Sequence, residues 1–238
     1  MPYLVFLLFL FCYSCGNPTP TESVDEVEKM TPLLQADNLF IDLSPDNLQN
    51  WSWLNAPDKV EFADGAVSVQ AAPGTDYFND PETGQINGNA PVLYREVTGD
   101  FVATALVQPD FTDVWNAVAL LMYQDSLHWI KFAYENSDAT GPGVVSVVTR
   151  EVSDDANGAV LENQPHVWLR LIRKGDLFAM HWSADGELYY MARLAKMPPM
   201  ETVKLGIESQ CPIGKWALHR LLYFSLEQRT VDDLRKGI

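Results

Sequence analysis

A tryptophan, a lysine and a glutamate recur at alternate positions in "HWIKFAYE", residues 128–135, as Trp129, Lys131 and Glu135. In an extended chain successive side chains point to opposite faces. These three then share one face with Ala133, while Ile130, Phe132 and Tyr134 form the other. An aromatic ring beside a cation and a carboxylate is what a pyranose requires: the ring stacks on the apolar sugar face, and the charged groups pair with its hydroxyls. Hydrolysis of a glycoside requires two carboxyl groups, about 5 to 5.5 Å apart for retention and about 6.5 to 9.5 Å for inversion. Glu135 is the single acid of its stretch, so the second candidate carboxylate is Asp76, from a loop. Lys131 within reach of Glu135 holds it ionised, which suits recognition better than proton donation.

The two-faced pattern repeats. In "HVWLRLIR" Trp168 and Arg170 alternate with Leu169 and Leu171, and in "FAMHWS" Ala179, His181 and Ser183 alternate with Phe178, Met180 and Trp182. A solvated sheet face rarely carries large aromatics. With parallel registers, Trp129, Lys131, Glu135, Arg150, Trp168, Arg170, His181 and Arg193 form one ligand-binding surface. The competing arrangement packs Trp129 and Trp168 under loops and leaves the charges as a structural salt-bridge net.

Other chemistries find less support. His128, His166, His181 and His219 make no His-x-His or His-Glu-x-x-His pair, so no zinc geometry is preset. No Gly-x-Ser-x-Gly elbow occurs, and "GPGVVS" has Ser146 where a dinucleotide loop needs its third glycine. "NDPETGQINGN" offers Asp80, Glu82, Asn87 and Asn89 as oxygen donors for a structural calcium, but without a recognisable ligand spacing; a solvated turn is the preferred reading. No metal or other cofactor is expected.

Strands must hold these residues. From residue 38 onward short apolar or alternating runs recur between Gly, Pro, Asn and Asp clusters, with no long helical period. Strands are expected over 39–43, 66–71, 91–97, 100–108, 117–124, 129–135, 144–150, 166–173, 177–183, 188–194, 202–208 and 218–227. "TGD", "GPG", "RKGD" and "ADGE" place glycine at the reversals. The end, "TVDDLRKGI", has Thr230 as the cap of a short helix with Asp233 three residues on. Two packed antiparallel sheets follow from so many strands and such short loops.

The chain has 238 residues, 47% hydrophobic, which suits one large all-β domain. Its net charge of -16 repels phosphate backbones, so nucleic acid is not an expected partner. Cys211 is the one thiol of the folded part, a small buried hydrophobe by type. Residues 4–11 are an uncharged apolar run, too short to span a bilayer of ~30 Å as a helix and suited to the core of an export signal. "CYSCGN" resembles a bacterial lipoprotein signal: Ser14 is the small residue before the cleaved bond and Cys15 the lipid-bearing residue. Cys12 replaces the usual leucine of that pattern, and no Lys or Arg precedes the apolar run. An ordinary cleaved signal or a buried N-terminal strand is the alternative. The expected organisation is a signal at 1–14, a Pro-, Thr-, Ser- and Glu-rich tether at 15–35, a domain at 36–230 and a tail at 231–238. The expected location is the cell envelope, with membrane contact only through the lipid.

"WSWLNAP", "GTDYF", "APVLYREVTGDF", "HWIKFAYE", "VVSVVTREVSDD", "WLRLIRKGD", "HWSADGELYYMARL" and "GIESQCPIG" together resemble the domain of unknown function 1349 family, also called regulation-of-enolase-like. The chain departs from the family pattern at Tyr77-Phe78 and at Asp155, where a Phe-Trp pair and a tryptophan are usual. The resemblance implies a concanavalin A-like jelly-roll sandwich of lectin and glucanase type, and no established reaction. Glucanases of that fold set their carboxylates on one strand as Glu-x-Asp-x-Glu, a run absent here. The leading expectation is therefore carbohydrate binding. A glycan-active enzyme and a protein-interaction module on a lectin scaffold are the alternatives.

Overall fold

The computed structural model describes residues 37–238; the expected signal, Cys15 and the tether lie outside the described residues. The strands are β1 (Ser52–Leu54), β2 (Lys59–Ala63), β3 (Ala66–Ala71), β4 (Tyr77–Asn79), β5 (Ile86–Gly88), β6 (Val92–Thr98), β7 (Phe101–Gln108) and β8 (Ala117–Asp125). They continue as β9 (His128–Ser137), β10 (Gly141–Arg150), β11 (Val152–Val160), β12 (Val167–Lys174), β13 (Leu177–Ser183), β14 (Tyr190–Lys196), β15 (Thr202–Gln210) and β16 (Ala217–Glu227). Two seven-stranded antiparallel sheets, ordered β1-β6-β15-β8-β9-β10-β11 and β14-β13-β12-β7-β16-β3-β2, stack as a jelly-roll sandwich. The hairpin β4–β5 stands apart as a two-stranded sheet.

Alternation dictates the core. Ile130, Phe132 and Tyr134 of β9, Leu120 and Met122 of β8, and Leu205 and Ile207 of β15 point inward. They meet Phe101 and Ala103 of β7, Leu169 and Leu171 of β12, Phe178 and Met180 of β13, and Phe224 of β16 in one buried cluster. Each Leu, Ile, Phe or Met side chain of this set removed from water contributes roughly 1.5–3 kcal/mol. That burial favours the β geometry that places every second residue inside.

Most expected strands form within two residues of their expected ends; the exceptions have local causes. Residues 39–43 turn instead of pairing. Asn38 Oδ1 accepts from the backbone N–H of Phe40 and Phe224, and its Nδ2 donates to Gly65 O at 2.8 Å. This side chain takes the place of a ladder and seats Phe40 against Trp51 and Phe224. Strand β11 was not expected because "VSDDANGAV" lacks apolar alternation. It is an edge strand whose solvent side needs none. β1, β2, β4 and β5 are too short, or too polar, to declare a period.

No helix follows Thr230. Asp233 Oδ1 accepts from Arg235 N and Lys236 N, and Gly237, at φ 75°, donates to Asp233 O, which closes a single turn. Residues 231–238, expected as a tail, lie on the outer face of the second sheet. Val231 and Leu234 pack there on Val102, Ile172 and Ala179, and Lys174 Nζ donates to Val231 O at 2.7 Å.

Candidate functional site

The outer face of the first sheet is largely buried. Ala117, Ala119 and Leu121 of β8, Trp129 and Ala133 of β9, and Val145 and Val147 of β10 form a second apolar cluster with Tyr77. The cover is the β4–β5 hairpin. Tyr77 stands edge-on to Trp129 at 5.9 Å and to Tyr123 at 6.0 Å between ring centroids. Asn55 Nδ2 reaches Tyr77 Oη and the carbonyls of Gly88 and Ala90. Asn79 Nδ2 donates to the carbonyls of Ser126 and Glu151, each at 2.9 Å. The hairpin is thus pinned at both ends.

Beside it the sheet opens into a cleft of about 370 Å³. Lys131, Glu135, Val145, Val147 and Gln210 form its floor, and Asp76, Phe78, Asp80, Trp115, Asp138 and Asp155 its walls. Lys131 is only 3% exposed; its Nζ donates to Gln210 Oε1 at 2.9 Å and to Asp76 Oδ1 at 3.3 Å. Burial alone lowers its pKa, but Asp76, Glu208 and Glu135 overcome that and raise it, so the ammonium stays charged.

Gln210 Nε2 donates to Trp115 O at 2.8 Å, and Trp115 N donates to Asn136 O at 2.7 Å. These bonds hold Trp115 at φ 63°, a conformation rare for a bulky residue and frequent at functional positions. Neutral His219 supports the row from below: its Nδ1 accepts from Asp110 N, its Nε2 meets Gln210 O, and burial pushes its pKa down to about 4.

Two glutamates share the Lys131 charge with Asp76. Lys131 does not hold Glu135 ionised as expected: burial outweighs its pull and pushes Glu135 up to about 7, with Asp76, Asp155 and Asp138 adding to the rise. Glu208, fully buried on β15, is pushed up to about 8 by burial against the pull of Lys131. Neither of its carboxyl oxygens has a hydrogen-bond partner among the described residues.

The expected single surface of eight residues does not form. Lys131 and Glu135 line the cleft and Asp76 joins them, while Trp129, 1% exposed beneath Tyr77, offers no ring face to a ligand. Trp168, Arg170 and His181 belong to the second sheet and point to its own outer face. There Trp168 packs on Tyr223, Arg170 lies 3.6 Å over the Tyr189 ring, and His181 meets Leu234 O at 2.9 Å. Arg193 of β14 pairs with Asp154 at 2.7 Å and bridges the open side of the sandwich, and exposed Arg150 donates to Lys196 O. Alternation orders side chains within a strand but does not say which sheet the strand joins. The residues that sequence reasoning missed are Trp115, Phe78, Asp138, Asp155, Glu208 and Gln210.

Three of the four calcium candidates, Asp80, Asn87 and Asn89, are engaged in turns. Asp80 accepts from Glu82 N and Thr83 Oγ1, Asn87 Oδ1 from Gln85 Nε2, and Asn89 Oδ1 from Asp76 N. Among the described residues no three His, Cys, Asp or Glu side chains gather as a metal ligand set. Cys211 is buried and its Sγ contacts Ile213 O.

A family model described as "Protein of unknown function (DUF1349)" matches residues 53–229. "Regulation of enolase protein 1" of Saccharomyces cerevisiae is 25% identical over 159 residues, 67% of this chain and 80% of that protein. A solved structure of a functionally unknown protein from Saccharomyces cerevisiae superposes with a TM-score of 0.72 at 24% identity, over 77% of this chain and 99% of that one. The xylan beta-1,4-xylosidase of Bacillus halodurans C-125 follows with a TM-score of 0.64 at 10% identity, over 90% of this chain but 41% of the enzyme. The exoplasmic/lumenal domain of VIP36, in a Ca2+/Man3GlcNAc-bound form, has a TM-score of 0.53 at 8% identity, over 80% of this chain and 89% of that one. At these identities the structures establish a shared sandwich and nothing of its chemistry.

The raised carboxyls set a pH dependence. Folded values of about 7 and 8 for Glu135 and Glu208 lie above the unfolded value of about 4.3. Their stabilising contribution is therefore complete below about pH 4 and is lost as pH rises through 7 and 8. His219, lowered to about 4, acts in the opposite sense below about pH 6.5, so the effect is read by difference. Glu208→Gln, neutral throughout, gains Tm relative to wild type as pH rises from about 5 to 9 in a thermal melt series; a difference that stays flat or reverses would show Glu208 ionised in the fold.

Proposed function

The chain belongs to the DUF1349 family of proteins of unknown function, and on that footing we propose that its cleft binds a saccharide. The observation that carries the reading is the combination of ring area from Trp115 and Phe78 with hydrogen-bonding groups from Lys131, Glu135, Asp76, Asp155 and Gln210 in one cavity. A pyranose offers the complement of both. The sandwiches it resembles include a xylosidase and a domain solved with Man3GlcNAc, which lends support at the level of fold. A glycan array followed by affinity electrophoresis identifies the sugar. Trp115→Ala weakens its binding about threefold to tenfold, the worth of one stacking contact. Trp115 is 39% exposed, and a thermal melt of the variant separates loss of binding from loss of fold. Undiminished affinity in that variant moves binding away from this cleft.

One observation favours glycoside hydrolysis as a second reading. Glu135 is pushed up to about 7, near where a general acid works at neutral pH, and Asp76 lines the same cleft. Reducing ends released from glycans by the wild type and lost in Glu135→Gln would establish it; no release from any glycan leaves a binding protein.

The chain is further proposed to be exported and anchored at the cell envelope through a lipid on Cys15, supported by the apolar "LVFLLFLF" and the Ser14-Cys15 pair. Cys15→Ser then moves the protein from the membrane to the soluble fraction and abolishes labelling by radioactive palmitate, and a variant that remains in the membrane and labelled refutes it.

A further inference from the structure

Resting on the saccharide reading of the same cleft, we infer that its ligand carries a protonated amine, as the sugars of a de-N-acetylated glycan do. The lining holds Asp76, Asp80, Glu135, Asp138 and Asp155 against a single cation, Lys131. That cation is already engaged, by Asp76 at 3.3 Å and by Gln210 at 2.9 Å, and Asp80 is spent on its turn. Three carboxyl groups remain without a hydrogen-bond partner among the described residues: Glu135, Asp138 and Asp155. Glu135 is the decisive one, only 7% exposed yet reaching the cleft.

A buried carboxyl group without a hydrogen bond is costly, and an ammonium, a donor with no acceptor, is the complement of the buried Glu135 carboxyl, while the exposed Asp138 and Asp155 add negative field at the same cleft. A uronate, sulfate or phosphate meets a repulsive wall, in a chain whose net charge is already -16. A neutral sugar forms hydrogen bonds but leaves the negative field uncompensated. Trp115 and Phe78 add ring faces that attract both the apolar side of a sugar and a cation beside it. The groups facing Glu135 are Lys131 on its own strand, Asp76 from the loop before the hairpin, Asp138 beyond β9, Asp155 on β11 and Glu208 on β15; acids outnumber the lysine, and burial adds to their push. An incoming cation reverses that balance, so binding near neutral pH releases a proton from Glu135.

The test is calorimetry of the full chain with four probes: a glucosamine hexamer, an N-acetylglucosamine hexamer, cellohexaose and spermidine, each in two buffers of different ionisation enthalpy. The glucosamine hexamer binds about tenfold or more tightly than either neutral hexamer, the worth of one charge-assisted hydrogen bond, and releases protons. Glu135→Gln, and independently the exposed Asp155→Asn, reduce that preference. Neutral hexamers that bind as tightly as the charged one overturn the inference and leave the saccharide reading standing. Absence of binding by all three hexamers overturns both. Spermidine binding as tightly as the glucosamine hexamer shows that charge alone is recognised and also overturns it.

Discussion

The ammonium of Lys131 sits where only 3% of the residue meets solvent, and the outer face of the first sheet is organised around that charge. A buried ion without partners costs several kcal/mol, so the chain has to bring acceptors to it from elsewhere. Asp76 comes from the loop that leads into the hairpin, and Gln210 from the end of β15. Gln210 in turn holds the Trp115 carbonyl from the loop between β7 and β8. One charge therefore ties three chain segments, distant in sequence, to a single strand. The cleft between them is shaped before any ligand arrives, which reduces the ordering cost of binding.

The same pairing accounts for the carboxyl groups. With Lys131 shared among Asp76, Glu135 and Glu208, no single acid receives its whole field. Burial then wins at the two glutamates, and both rise toward neutrality. Asp76, on the more exposed side, retains the direct contact. A site in which carboxyl groups of different burial surround one cation can hold some protonated and others ionised at the same pH.

The two outer faces of the sandwich are covered in analogous ways by parts of the chain itself. The β4–β5 hairpin seals Trp129 on the first sheet, and the C-terminal turn seals Ile172 and Ala179 on the second. The outward-pointing indole of Trp129 is thus a sign of cover. The hairpin that provides it is as good a partner for an indole as a sugar is. The hydrophobic effect drives both, and it has no preference for origin.

The sequence by itself determined the alternation of the long strands, and with it the inner core, the antiparallel sandwich and the shared face of Lys131 and Glu135. Period-2 burial is a local property, written in each strand's own residues. Which strands stand side by side is not local. Trp168, Arg170 and His181 repeat the pattern of Trp129 and Lys131, yet they lie on the opposite outer face, because β12 and β13 belong to the other sheet. Trp115 sits in an irregular loop at positive φ, and Gln210 and Glu208 close a strand whose alternation marks only its inner face. The short hairpin strands carry no period at all. Only the tertiary structure decided the cleft, because its walls come from segments that meet through a buried charge and not through any pattern shared along the chain.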